Sequence, residues 1–162
     1  MTPQSSFFVL APVTPQREAE LRGLLAAMND GPGRLRADGA IPFSQLEKLH
    51  YARLLIVDDK TVGDNQVYGV PPPVYPLYLV FLGDVDGDGD AFLADAASQA
   101  AAGLSAVFSC CDGFTPGQNL LAWMRAWDGL IGCFFIDAGL PANGAVSLRS
   151  WQRRRAIHVR GS

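Results

Sequence analysis

Four side chains near the middle of the chain could bind a small ligand. His50, Tyr51 and Arg53 lie in the apolar run 49–57, and Tyr78 lies in a second apolar run. An arginine among apolar neighbours needs an anion or hydrogen-bond acceptors, which makes Arg53 a candidate for holding a carboxylate or an enolate. Its alternative role is an ion pair with a nearby aspartate, or an exposed position at a sheet edge.

Strand alternation separates two of these candidates. If 49–57 is a β-strand, His50 points to one face while Tyr51 and Arg53 point to the other, so His50 and Arg53 should not converge. His50 could act as a base or as an axial metal ligand, because imidazoles generally titrate near neutral pH. The alternative is a hydrogen-bonded structural histidine. The sequence assigns no catalytic residue and no cofactor.

An acidic run follows the second apolar run, and its spacing partly matches a calcium-binding loop. Asp84, Asp86, Asp88, Gly89 and Asp95 fall at loop positions one, three, five, six and twelve. The match is incomplete, because a strand enters the run and the last position lacks the usual bidentate glutamate. We therefore predict no metal site but a strand-to-helix turn, with glycines at positive φ and aspartates capping the next helix.

Two adjacent cysteines, Cys110 and Cys111, end a predicted helix, where the helix dipole opposes thiolate formation. Neighbouring cysteines rarely bridge each other, so we predict reduced thiols packed in the core.

The last part of the chain is basic and contains Arg149, Arg153, Arg154, Arg155 and Arg160. Such a segment could bind an acidic partner or RNA, although most basic runs are solvated helix faces. The net charge of the whole chain is -3 at pH 7, which argues against a general nucleic-acid binder.

Composition indicates one compact domain, 1–162. Hydrophobic residues make up 49% and charged residues 18% of the 162 residues, which excludes disorder. No apolar run reaches the roughly 18 residues that span a bilayer. The N-terminus lacks a basic leader and a small-residue cleavage site, so we expect a cytoplasmic protein without a membrane segment.

The apolar periodicity predicts strands and helices. Strands are expected at 7–11, 49–57, 76–82 and 130–136, and the second and third should be buried central strands. Helices are expected at 15–28, 90–110, 116–129 and 145–157. Thr14 and Thr115, each followed by proline, should cap the first and third helices.

This order predicts an α+β fold of the ferredoxin-like βαββαβ type, with an inserted helix before the last strand and a C-terminal helix. Right-handed crossovers would place both long helices on one face of a four-stranded antiparallel sheet. Because both faces of the two central strands are apolar, we expect a second copy to pack on the other face and form a homodimer.

Three features resemble the dimeric α+β barrel superfamily of ferredoxin-like proteins. They are the strand opening Leu49-His-Tyr-Ala-Arg53, the apolar strand that ends in an Asp-Gly-Asp turn, and Cys111-Asp-Gly-Phe114 after a helix. The resemblance covers residues 41–114. The resemblance implies a ligand cavity. Members of the superfamily include dye-decolorizing heme peroxidases, cofactor-free monooxygenases, isomerases of small aromatic lactones and proteins with no known activity.

Two functional interpretations follow. In the first, the dimer binds a small anionic or aromatic molecule, as a cofactor-free or heme-linked oxygenase or isomerase, with Arg53, Tyr51, Tyr78 and His50 lining the site. In the second, the domain is a non-catalytic accessory or assembly module that docks a protein partner through its sheet. Fold analogy cannot choose between them.

Overall fold

The computed structural model describes residues 3–31, 34–58, 67, 69 and 76–128. Contacts divide the chain into two units, and all described residues lie in the first, Met1–Asp128. The predicted strand 130–136, the predicted helix 145–157 and the basic C-terminal segment lie outside the described residues. Those predictions, and that of a single domain, stay predictions.

The described residues form a mixed α+β fold around a three-stranded antiparallel sheet. Its strands are β1 (Gln4–Pro12), β2 (Leu49–Val57) and β3 (Tyr78–Asp86), in the order β1-β3-β2. β3 pairs on both sides and most of its residues are buried, which confirms it as a central strand. β2 pairs only with β3 in the described part of the chain, and none of its residues is buried. The prediction that this strand is buried is therefore wrong, and its prediction as a central strand stays a prediction.

Four α-helices accompany the sheet: α1 (Glu18–Ala27), α2 (Gly89–Gln99), α3 (Ala101–Phe108) and α4 (Leu120–Trp127). A 3-10 turn, Pro15–Arg17, leads into α1, so the proline start is confirmed. The predicted cap at Thr14 is wrong, since its hydroxyl donates to the Asp112 carboxylate at 2.6 Å instead of capping the helix.

The long helix predicted over 90–110 is two helices, α2 and α3, bent by 98° at Ala100. The bend lets both segments bury their apolar sides: α2 contributes Phe92 and Leu93 to the core, and α3 contributes Leu104 and Phe108. Gly103 lies against the carbonyl of Ala40, where a larger residue would collide with the backbone. Among the described residues, no single helix is long and apolar enough to cross a membrane, and α2 with α3 meets that criterion only as this bent pair.

The third helix begins later than the sequence predicts. Thr115 and Pro116 form a turn, and α4 starts after Asn119, whose side chain accepts from the amide of Ala122 at 2.9 Å. Asparagine is as good an N-cap as threonine or better. Asn119 therefore caps α4, and Thr115 and Pro116 lie in the turn that precedes it.

The core lies between the helices and one face of the sheet, which we call the helix face. Alternate strand residues such as Val9 and Phe81 point into it and are fully buried. Aromatic rings join the layers: the Phe7 ring centroid lies 4.8 Å from that of Phe81 and 4.9 Å from that of Phe92. Phe108 packs on Trp123 of α4, with the two ring centroids 4.7 Å apart.

The opposite side of the sheet is the distal face. The register aligns cross-strand rows on it, and in order along the sheet they are Ser6–Asp84–Tyr51, Phe8–Leu82–Arg53, Leu10–Val80–Leu55 and Pro12–Tyr78–Val57. Leu10, Val80 and Tyr78 are buried, yet none of them belongs to the core cluster. Tyr51 and Val57, on the β2 side, are 41% and 40% exposed. The distal face is therefore covered over part of its width and open along β2.

Candidate functional site

Tyr51 and Arg53 lie together on the open side of the distal face. Both belong to β2, two residues apart, so alternation places them on one side of the strand as predicted. The Arg53 Cζ atom lies 5.2 Å from the centroid of the Tyr51 ring, within the range of a cation–π interaction. The ring holds the guanidinium in place without using its in-plane N–H donors.

Those donors remain available for an anion. Arg53 is exposed, and no carboxylate within the described residues lies at ion-pair distance from it. By contrast, Arg125 makes a bidentate pair with Asp90, with both N···O distances 2.6 Å. A planar guanidinium with free N–H groups matches the two oxygens of a carboxylate. The arrangement can therefore bind and orient an anionic group.

Tyr78 lies on the same face but away from Arg53. It opposes Val57, whereas Arg53 opposes Leu82, and four residues along a strand correspond to about 13 Å. Tyr78 is buried, and this burial raises the pKa of its phenol. The structure thus places Tyr78 at the covered end of the face and does not bring it together with Tyr51 and Arg53.

His50 lies at an irregularity of β2. A register shift between Leu49 and Tyr51 interrupts the regular alternation there. The His50 Nε2 atom contacts the Asp86 Oδ1 atom at 2.9 Å, across to β3. This contact gives His50 a hydrogen-bond partner on β3, and its role as a ligand-site residue or as a structural histidine stays a prediction.

The carboxylates of the acidic run 84–95, which extends from the end of β3 into α2, have separate protein partners. Asp84 accepts from the Ser6 hydroxyl at 2.7 Å, Asp88 caps α2 by accepting from the amide of Ala91 at 2.8 Å, and Asp95 pairs with Lys48 at 3.1 Å. The predicted capping of the next helix is confirmed at Asp88. Positive φ is confirmed at Gly87, where it is +89°, while Gly89 instead begins α2.

Calcium is expected to leave the melting temperature unchanged, because each of these carboxylates already has a different protein partner. Specific binding at a hundredfold excess over Kd would add about 2.7 kcal/mol to the free energy of unfolding. Thermal melts with calcium and with a chelator test this. A calcium-dependent rise that Asp84→Ala abolishes would contradict it.

Sequence reasoning overlooked one motif at this turn. Heme peroxidases of the superfamily named above have a Gly-x-x-Asp-Gly motif, and the same spacing occurs here in Gly83-Asp84-Val85-Asp86-Gly87. A residue-by-residue comparison with that motif would have found the match. Here each glycine meets a requirement of the fold. A Cβ atom on Gly83 would collide with the Tyr51 carbonyl and lie 2.7 Å from the Phe7 ring, and Gly87 has positive φ. The spacing alone therefore does not indicate heme.

The adjacent cysteines are core residues, as predicted. Cys110 and Cys111 are free thiols, 0% and 2% exposed, and both belong to the core cluster. Burial raises the pKa of the Cys111 thiol to about 12 and also raises that of Cys110. Neither thiol has the properties of a nucleophile at neutral pH.

A surface pocket lies elsewhere, between the segment 45–48 and α2. Its volume is about 240 Å³, and Phe92, Asp95 and Gln99 complete its lining. The Lys48–Asp95 ion pair lies in its wall and neutralises both charges. None of the four predicted ligand-binding residues lines this pocket.

Comparisons of the chain with family models, with curated proteins and with solved structures found no match.

Proposed function

We propose that the protein binds a small anionic molecule on the distal face of its sheet, at Arg53 and Tyr51. The observation that carries this proposal is the exposed guanidinium of Arg53, held over the Tyr51 ring at 5.2 Å with no carboxylate partner among the described residues. Because the Arg53 side chain is exposed, placing this charge in the middle of β2 has a small desolvation cost. Its free N–H donors complement the two oxygens of a carboxylate.

The proposed architecture is a ferredoxin-like domain. In that fold the order of the first three strands is β1-β3-β2, with the fourth strand beside β1. The described sheet has the order β1-β3-β2, and Val9 of β1 forms an antiparallel bridge with Asp128 on its other edge. The bridge supports the ferredoxin-like order at this outer edge of β1.

The proposed assembly is a homodimer of the α+β barrel kind. Tyr51 and Val57 give the β2 side of the distal face exposed aromatic and apolar surface, which supports an interface there. Because Leu10, Val80 and Tyr78 are buried within one chain, the surface open to a second copy is narrower than the sequence predicts. A second copy over β2 would enclose the Arg53 guanidinium and strengthen its attraction for an anion.

The proposal is one of binding, without an assigned reaction. Arg53 and Tyr51 supply a positive charge and an aromatic surface, which can bind and orient a ligand. An oxygenase or isomerase would need a further group near the ligand. We propose the cytoplasm as the compartment, where the buried thiols Cys110 and Cys111 stay reduced.

A second candidate function is that of an accessory module. β2 pairs on one side only in the described part of the chain and runs for nine residues, Leu49–Val57. An edge strand of that length can accept a strand from a protein partner through main-chain hydrogen bonds. This function would require no ligand at Arg53.

Native mass spectrometry of the freshly purified protein tests the proposed function, because it reports the oligomeric state and any retained small molecule together. We expect a dimer that carries additional mass and loses it on collisional activation. A bare monomer at micromolar concentration would contradict the dimer, and a ligand-free dimer would favour the accessory module.

A further inference from the structure

We propose that Asp84 biases the Arg53 site toward singly charged anions that carry an apolar body. This inference rests on the proposed function, since it names the class of ligand for the same site. It makes Asp84 a specificity-determining residue in addition to its place in the pairing of β3 with both neighbouring strands.

The sheet register places Asp84 beside the guanidinium. Asp84 opposes Tyr51 across the β3–β2 pair, and Arg53 opposes Leu82, so Asp84 and Arg53 are diagonal neighbours on the distal face. Diagonal neighbours in an antiparallel pair have Cα atoms about 7–8 Å apart. Asp84 is exposed, and the Ser6 hydroxyl donates to its Oδ1 atom at 2.7 Å, which holds the carboxylate on β3.

A negative charge at this position acts on the second charge of a ligand. A dianion such as phosphate gains more from Arg53 than a carboxylate does, and Asp84 offsets part of that gain by repulsion. At this separation each additional ligand charge should lose roughly two- to tenfold in affinity, depending on the effective dielectric constant. Asp84 therefore weakens the binding of dianions more than that of monoanions.

The opposite side of Arg53 is apolar. Leu55 follows Arg53 by two residues on the same face of β2, and Phe8 and Leu82 share its cross-strand row. All three are only partly buried, so they present surface that a ligand can cover. A ligand whose carboxylate binds Arg53 and whose apolar part points away from Asp84 would bury this surface. Each buried methylene group should raise the affinity about fourfold.

Titrations with acetate, hexanoate and inorganic phosphate, followed by NMR at low ionic strength, test the inference. We expect hexanoate to bind more tightly than acetate. We expect Asp84→Asn to raise the affinity for phosphate by roughly two- to tenfold more than the affinity for hexanoate. Asparagine can still accept from Ser6, so the pairing of β3 with β1 should be kept. Asp112→Asn is the matched control, because Asp112 also accepts from a hydroxyl, that of Thr14 at 2.6 Å, but is not on the distal face.

The outcomes separate the two proposals. If no carboxylate binds, or if Arg53→Met binds hexanoate as well as the wild type does, the proposed function is wrong and the inference fails with it. If binding requires Arg53 but Asp84→Asn changes the phosphate-to-hexanoate ratio no more than Asp112→Asn does, the inference alone is overturned. Should Asp84→Asn not fold, Asp84→Ser removes the same charge and keeps a hydroxyl that can accept from Ser6; it should raise the phosphate-to-hexanoate affinity ratio in the same way, and an unchanged ratio would overturn the inference.

Discussion

Gly103→Ala is expected to destabilise the protein by about 2–3 kcal/mol, because the added methyl group overpacks a closed contact. A Cβ atom on Gly103 would collide with the carbonyl oxygen of Ala40 and lie 2.7 Å from its carbonyl carbon and 2.8 Å from the Ile41 Cγ1 atom. The two closest of these atoms are backbone and cannot rotate away. Either α3 or the segment that contains Ala40 must move, and both contribute to the core through Leu104 and Ile41.

Gly23→Ala is the matched control, since Gly23 is also inside a helix, α1, but a Cβ atom there would meet nothing within 4 Å. Alanine has the higher helix propensity, so this variant should gain about 0.5–1 kcal/mol. Urea unfolding of both variants measures the difference. Equal free energies of unfolding for the two alanine variants would contradict the close contact at Gly103.

Local patterns in the sequence were sufficient for several parts of the fold. β2 begins and ends at the predicted residues, Leu49 and Val57, and the apolar run that forms β3 identified the central strand. Asp88 was among the predicted helix caps, and proline at position 15 marks the turn that leads into α1. Each of these features depends on side-chain chemistry within a few residues, which the sequence displays directly.

The missed features depend on contacts between distant segments. The bend at Ala100 lets α2 and α3 both face the core, and an uninterrupted helical periodicity does not indicate it. Threonine is a residue type that caps helices, but the Thr14 hydroxyl instead donates to the carboxylate of Asp112, 98 residues away. Apolar residues on both sides of β2 suggested a buried strand, whereas burial depends on what packs against each side. For the candidate site, alternation correctly paired Tyr51 with Arg53, but only the structure shows that Arg53 has no carboxylate partner among the described residues.

Arg53→Met is expected to keep the fold and remove the affinity for an anion. Methionine replaces the aliphatic stem, and no carboxylate within the described residues would be left without its partner, so the loss of stability should be limited to the cation–π contact with Tyr51, about 0.5–1 kcal/mol. Each charged hydrogen bond to a ligand contributes about 1.5–3 kcal/mol. Hexanoate affinity should therefore fall by roughly 10- to 150-fold.

The control for this variant is Arg34→Met, because Arg34 is also exposed and also lacks a carboxylate partner among the described residues, but lies outside the sheet. Both variants should melt close to the wild type, and only Arg53→Met should lose hexanoate in an NMR titration. A loss of stability of roughly 3–5 kcal/mol in Arg53→Met would indicate a buried ion pair broken by the substitution. That result would make Arg53 a structural residue, remove the anion site from the distal face, and favour a module that docks a protein partner along β2.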